Sequence, residues 1–157
     1  MPAVACAFLC GSPARAGTST GSFAVSAGIS ATCVINSASM AFGAYNPTGN
    51  ANFDATGAVS VSCTNGTSYN IGLDKGLGTG ATITNRVMMN GSNKLTYQIY
   101  SDSARTQNWG NTVGTNTVSG TGTGFAQSFT AYGRITAGQT STPPGSYSDT
   151  VTVKITY

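Results

Sequence analysis

Apolar residues recur at every second position along most of this chain. The sets are Phe23, Val25, Ala27, Ile29; Val59, Val61, Cys63; Tyr69, Ile71, Leu73; Leu95, Tyr97, Ile99; Phe129, Ala131, Ile135; and Val151, Val153, Ile155, Tyr157. A period of two places such residues on one face of a strand, with the intervening polar side chains on the other. After Gly17 no apolar spacing of three and four persists over a helical length. Turn chemistry separates the runs: Asn65-Gly66 and Asn90-Gly91 read as tight hairpins, and the glycine-alternating stretches 76–80 and 120–124 and the Pro143-Pro144-Gly145 triplet read as turns. Short punctuated strands predict an all-β sandwich or barrel. Residues 107–124 are the least patterned and are expected to be a long loop with one or two weak strands.

The two ends stand out. Residues 151–157, VTVKITY, form a sharply alternating strand that nothing in the sequence covers, and an exposed apolar edge invites pairing with another strand. At the other end, residues 17–30 are small and flexible, then carry Phe23, Val25, Ala27 and Ile29 on one face, a short tether before Cys33. Two arrangements compete. The segment folds back and covers the C-terminal strand of its own sandwich, or it inserts into a groove of the next copy. Burying the four side chains contributes roughly 5–8 kcal/mol. The second arrangement is head-to-tail and does not close on itself, so it builds a fibre.

Composition narrows the setting. Only 7% of residues are charged and the net charge is +3, with the seven Lys and Arg scattered singly, so there is no footprint for nucleic acid. Residues 1–16 combine a short apolar run with Ala14-Arg15-Ala16, the pattern of a secretory signal that leaves Gly17 as the new N-terminus. The run is too short for a transmembrane helix. Lipidation at Cys6 or Cys10 is a weaker alternative, because Phe8 and Leu9 stand where small residues are expected before Cys10. Removing the signal leaves two cysteines, Cys33 and Cys63, most simply read as one disulfide in an exported chain. Such a bridge is worth about 3–4 kcal/mol on the chain-entropy view. The alternatives are two buried thiols or a metal pair, for which the chain, with no histidine, has few ligands.

Catalysis has little to work with. The sequence holds no His and no Glu, and its four aspartates, Asp54, Asp74, Asp102 and Asp149, fall in or beside expected turns. Asp102 reads as a turn residue able to pair with Arg105, and a Ca²⁺ site lacks a run of alternating carboxylates. Neither glycine-rich stretch is followed by the Lys-Ser/Thr pair that opens a phosphate-binding helix. The chain is therefore read as a non-enzyme without cofactor or metal. Trp109 and Tyr45 keep a carbohydrate-binding sandwich open as an alternative, although a lone loop Trp more often anchors its loop on the sandwich end.

Four stretches carry a resemblance: Phe23-x-Val25-x-x-x-Ile29 before Cys33; Val59-Ser-Val-Ser-Cys63-Thr64; Leu95-Thr-Tyr97-Gln-Ile99-Tyr-Ser-Asp102-Ser-Ala-Arg105-Thr106; and Gly145-Ser-Tyr147-Ser-Asp149-Thr-Val151. Together they resemble the spore coat protein U domain family, which includes major subunits of archaic chaperone-usher pili. The resemblance implies an incomplete immunoglobulin-like sandwich over 31–157, lacking its last strand. A periplasmic chaperone and then, at the outer-membrane usher, the next subunit would supply that strand. It further implies donor residues Phe23, Val25, Ala27 and Ile29 within 17–30, an acceptor groove walled by Val151, Val153, Ile155 and Tyr157, and a Cys33–Cys63 bridge. Export to a cell-surface fimbrium serving adhesion and biofilm formation follows, with a non-fibrous coat or envelope protein as the alternative. Ala27 is smaller than the aliphatic residue the resemblance leads one to expect.

Overall fold

The computed structural model describes Gly11 and residues 14–157, so most of the expected signal lies outside the described residues. Among the described residues every regular element is a strand: β1 (Cys33–Met40), β2 (Phe53–Cys63), β3 (Ser68–Leu73), β4 (Arg86–Asn90), β5 (Asn93–Tyr100), β6 (Val118–Thr121), β7 (Ala126–Ile135) and β8 (Val153–Thr156). A five-stranded antiparallel sheet, β1-β2-β7-β5-β4, packs on a three-stranded one, β6-β3-β8. This is an immunoglobulin-like sandwich. The alternating sets of β2, β3 and β5 meet between the sheets, with Val59, Val61, Tyr69, Ile71, Leu73, Leu95, Tyr97 and Ile99 buried. Cys33 and Cys63, opposite each other in the β1–β2 register, are joined by a disulfide.

Several expectations are corrected. Asn65-Gly66 does make a turn, with Gly66 at φ 80° and Thr67 N–H donating to the Thr64 carbonyl at 3.0 Å, but it is no hairpin. It carries the chain from β2 in one sheet to β3 in the other, because both edges of β2 are already taken by β1 and β7. Asn90-Gly91 does close the β4–β5 hairpin, Asn90 opposite Asn93. The expected turn at 120–124 begins inside β6, and the C-terminal strand is shorter than its alternation suggests.

Two strands carry no simple alternation. In β1 the register slips between Ile35 and Ser37, so the inward set changes from odd positions, Cys33 and Ile35, to even ones, Ala38 and Met40. In β4 the adjacent Arg86 and Val87 are both buried. Arg86 is 0% exposed: its guanidinium donates to the carbonyls of Leu73 (3.1 Å), Asp74 (2.8 Å), Ile83 (3.0 Å) and Trp109 (2.7 Å). Burial lowers its pKa, while Tyr97, Asp74 and Asp149 oppose that shift.

Asp102 does not pair its side chain with Arg105. It accepts from the Thr106 and Gln107 N–H groups at 2.9 and 2.8 Å, and Arg105 turns to Asp54 at 3.3 Å. Asp54 itself lies in β2 rather than a turn and grips Arg134 through two bonds of 2.7 and 2.8 Å. Trp109 is 0% exposed, its indole N–H donating to the Ile71 carbonyl at 2.9 Å, so it anchors its loop and offers no face to solvent.

Candidate functional site: an open cleft between two strand edges

β1 closes one side of the larger sheet and pairs only with β2; β8 closes one side of the smaller sheet and pairs only with β3. Each therefore leaves a row of backbone N–H and C=O groups without a neighbouring strand among the described residues. Between these edges lies a cleft of about 1030 Å³, bordered by residues 38–45 after the β1 bulge and by 142–151 and Val153 leading into β8. Its floor is the sandwich interior, including Val59, Leu95, Tyr97 and Ile135.

The floor itself is buried, but the β1 edge beside the cleft is less well covered. Ile35 lies opposite Val61 and shares its face, yet Val61 is 0% exposed and Ile35 39%. A side chain on the core face of a sandwich with that much solvent contact lacks the layer that should lie over it.

The cleft is chemically simple. Its ionisable groups are Asp149 and three tyrosines, and each phenol is already engaged. Tyr45 donates to the Thr136 carbonyl (2.9 Å), Tyr147 to the Pro143 carbonyl (2.8 Å) and Tyr97 to Asp149 (2.8 Å). Burial pushes the Tyr97 phenol far above its ordinary range, and the Asp149 hydrogen bond adds to the shift, so Tyr97 stays protonated and donates. The segment before β8 is stitched to both sheets. Ser148 exchanges backbone bonds with Met89 at 2.8 and 3.1 Å, Asp149 accepts from Leu77 N–H at 2.9 Å, and Asp74 accepts from Thr152 N–H at 2.8 Å. Apolar walls, satisfied polar groups and two free backbone edges suit one kind of occupant, an extended segment with apolar side chains on one face.

The expected site residues are distributed as follows. Val151 and Val153 line the cleft; Ile155 is half-buried on the same face; Tyr157, past the end of β8, is 59% exposed. Phe23, Val25 and Ile29 are 90%, 81% and 90% exposed, Ala27 is exposed, and residues 14–32 carry no strand. The two sets are thus not brought together within one chain. The opposite wall, with Met40, Phe42 and Tyr45, was not anticipated; the run Ala38, Met40, Phe42 is its only trace in the sequence, and the slip at Asn36 detaches it from Cys33 and Ile35.

Residues 19–154 match the Spore Coat Protein U domain. The chain belongs to this family. It is 34% identical over 161 residues to Protein U of Myxococcus xanthus, an alignment that takes in 93% of this chain and 89% of that protein. Among solved structures it resembles the CsuC-CsuE chaperone-tip adhesion subunit pre-assembly complex from archaic chaperone-usher Csu pili of Acinetobacter baumannii. That likeness has a TM-score of 0.58 at 23% identity and covers 81% of this chain but only 40% of the matched one. It is a likeness of fold.

Proposed function

We propose that this Spore Coat Protein U domain chain is a structural subunit of a chaperone-usher pilus, assembled by donor-strand complementation. The observation that carries the reading is the open cleft with two free strand edges, set against an exposed apolar segment at the other end of the same chain. Phe23, Val25, Ala27 and Ile29 of one copy enter the cleft of the next beside Val151, Val153, Ile155 and Tyr157. Until then a periplasmic chaperone lends the strand, and an outer-membrane usher exchanges it at the point of export. The fibre stands on the cell surface and serves adhesion and biofilm formation. The fold it shares with a subunit from a chaperone-bound pilus complex supports this reading.

Expressed with a periplasmic chaperone, the chain is expected to give SDS-resistant ladders that collapse to monomer when residues 17–30 are deleted. Ile29→Asp should weaken joining far more than Ser30→Asp, because only Ile29 shares the face of Phe23 and Val25. A deletion variant that still forms ladders, or equal effects of the two aspartates, counts against the assignment. A second reading, a coat or envelope protein that does not form fibres, is favoured by the match to Protein U along nearly its whole length. Electron microscopy of the ladder fraction separates the two, since only the pilus subunit yields filaments.

A further inference from the structure

A segment tethered to its own domain meets its own cleft at an effective concentration of about millimolar, whereas a second copy must be found by diffusion. Proximity alone therefore favours self-closure, and a self-closed chain assembles nothing. Yet residues 17–31 stand exposed, outside the cleft of their own chain.

The exit of the segment explains this. β1 begins at Cys33, whose side chain turns to the core face to meet Cys63. The pairing with β2 runs one residue further: Thr64 N–H donates to the Thr32 carbonyl at 2.9 Å, and Thr32 N–H donates to Thr64 Oγ1 at 3.1 Å. Both backbone groups of Thr32 are thereby turned toward the β2 side. Only Ser30 and Ala31 separate it from Ile29.

To enter its own cleft the segment must double back along the free edge of β1 as an antiparallel hairpin, and cross-strand partners share a face. With Thr32 held, the tightest reversal is a two-residue turn at Ser30-Ala31 that pairs Ile29 with Thr32. Thr32 precedes the inward Cys33 and faces out, so Ile29, Ala27, Val25 and Phe23 all face out with it. Ser-Ala also lacks the glycine or asparagine that the positive φ of such turns favours. A three-residue turn over 29–31 restores the parity but takes Ile29 out of the donor set. A three-residue turn over 30–32 pairs Ile29 with Cys33 and turns all four side chains inward, but it requires Thr32 to leave Thr64.

We propose that the Thr32–Thr64 pairing is a partner selector: it denies the N-terminal segment its own cleft and directs it to a second copy, with Thr64 as the specificity-determining residue. This rests on the donor role given to residues 17–30 above.

Chymotrypsin cleavage after Phe23 in dilute, disulfide-intact monomer reports whether the segment is free. The wild-type chain should be cut rapidly. A chain with three glycines inserted between Ser30 and Ala31 can make the reversal without disturbing Thr32, and should be cut at least tenfold more slowly and no longer assemble. Thr64→Ala, which removes the hydroxyl, should slow cleavage partway; Thr64→Ser, which keeps it, should restore the wild-type rate. Wild-type cleavage rates in the insertion chain, or a wild-type monomer already protected, overturn the selector. A separate arm offers a synthetic 17–31 peptide to the chain lacking 17–30. Failure of that chain to take up the peptide removes the donor role itself and the selector with it, whereas uptake with an unprotected insertion chain removes the selector alone.

Discussion

Arg86 shows how one residue can hold an end of the sandwich together. Its guanidinium satisfies the carbonyls of four residues from three separate stretches: Leu73 and Asp74 at the end of β3, Ile83 before β4, and Trp109 in the long loop. Arg86→Met preserves most of the volume but leaves those acceptors without a donor, a loss expected to be about 3 kcal/mol or more in urea unfolding. Lysine at the same site cannot reproduce the fork and should recover little of it. A loss below 1 kcal/mol would mean that water replaces the guanidinium there. None of this is legible in the sequence, where Arg86 is one of several isolated cations. By contrast Trp109, read as a loop anchor, proves to be one, because an indole with a single N–H needs only one carbonyl and finds it on Ile71.

Strands with one buried face and an even register could be read directly: β2, β3, β5 and β7 each coincide with an alternating set. β1 escaped because one extra residue at Asn36 reverses its parity half-way, and β4 because Arg86 and Val87 are buried side by side. Val151 and Val153 of the cleft wall on the β8 side belong to an alternating set visible in the sequence, whereas the wall built from Met40, Phe42 and Tyr45 was not visible there. β7 adds a test of that hidden wall. A Cβ on Gly133 would lie 2.5 Å from the Met40 sulfur and 2.7 Å from the Phe42 ring, so the glycine makes room for both. Gly133→Val should cost about 2 kcal/mol of stability by overpacking, measured by urea midpoint. Unchanged stability would show that Met40 and Phe42 swing freely into the cleft.

At the scale of the whole molecule the low charge content leaves few groups to make stability depend on pH. The Gln107 and Thr106 hydrogen bonds lower the Asp102 pKa, and two further aspartates, Asp54 and Asp74, shift the same way. The hydrogen bond from Arg134 lowers the Asp54 pKa against the opposing effect of burial, with Arg105 assisting. Burial raises the Asp74 pKa, but the Gly76 and Thr152 hydrogen bonds outweigh it, and the net shift is downward. For all three, the unfolded chain takes up a proton before the folded one does. Their contribution is therefore complete above an unfolded value of about 4 and disappears as pH falls through the lower folded values. The urea midpoint should be flat from neutral pH to about 5 and decline below about 4, less steeply in Asp74→Asn. A decline already under way at pH 6 would point to a different group.

The disulfide sits at the base of the exposed N-terminal segment, joining the first residue of β1 to the last residue of β2. A mechanical pull on that segment enters the body at Cys33 and crosses at once through sulfur to Cys63, on a strand gripped from both sides by β1 and β7. β1, held by β2 alone, is thereby spared from being peeled off like tape, and the chain between the two cysteines, which stand 30 positions apart, cannot be drawn out under tension until the bridge is reduced.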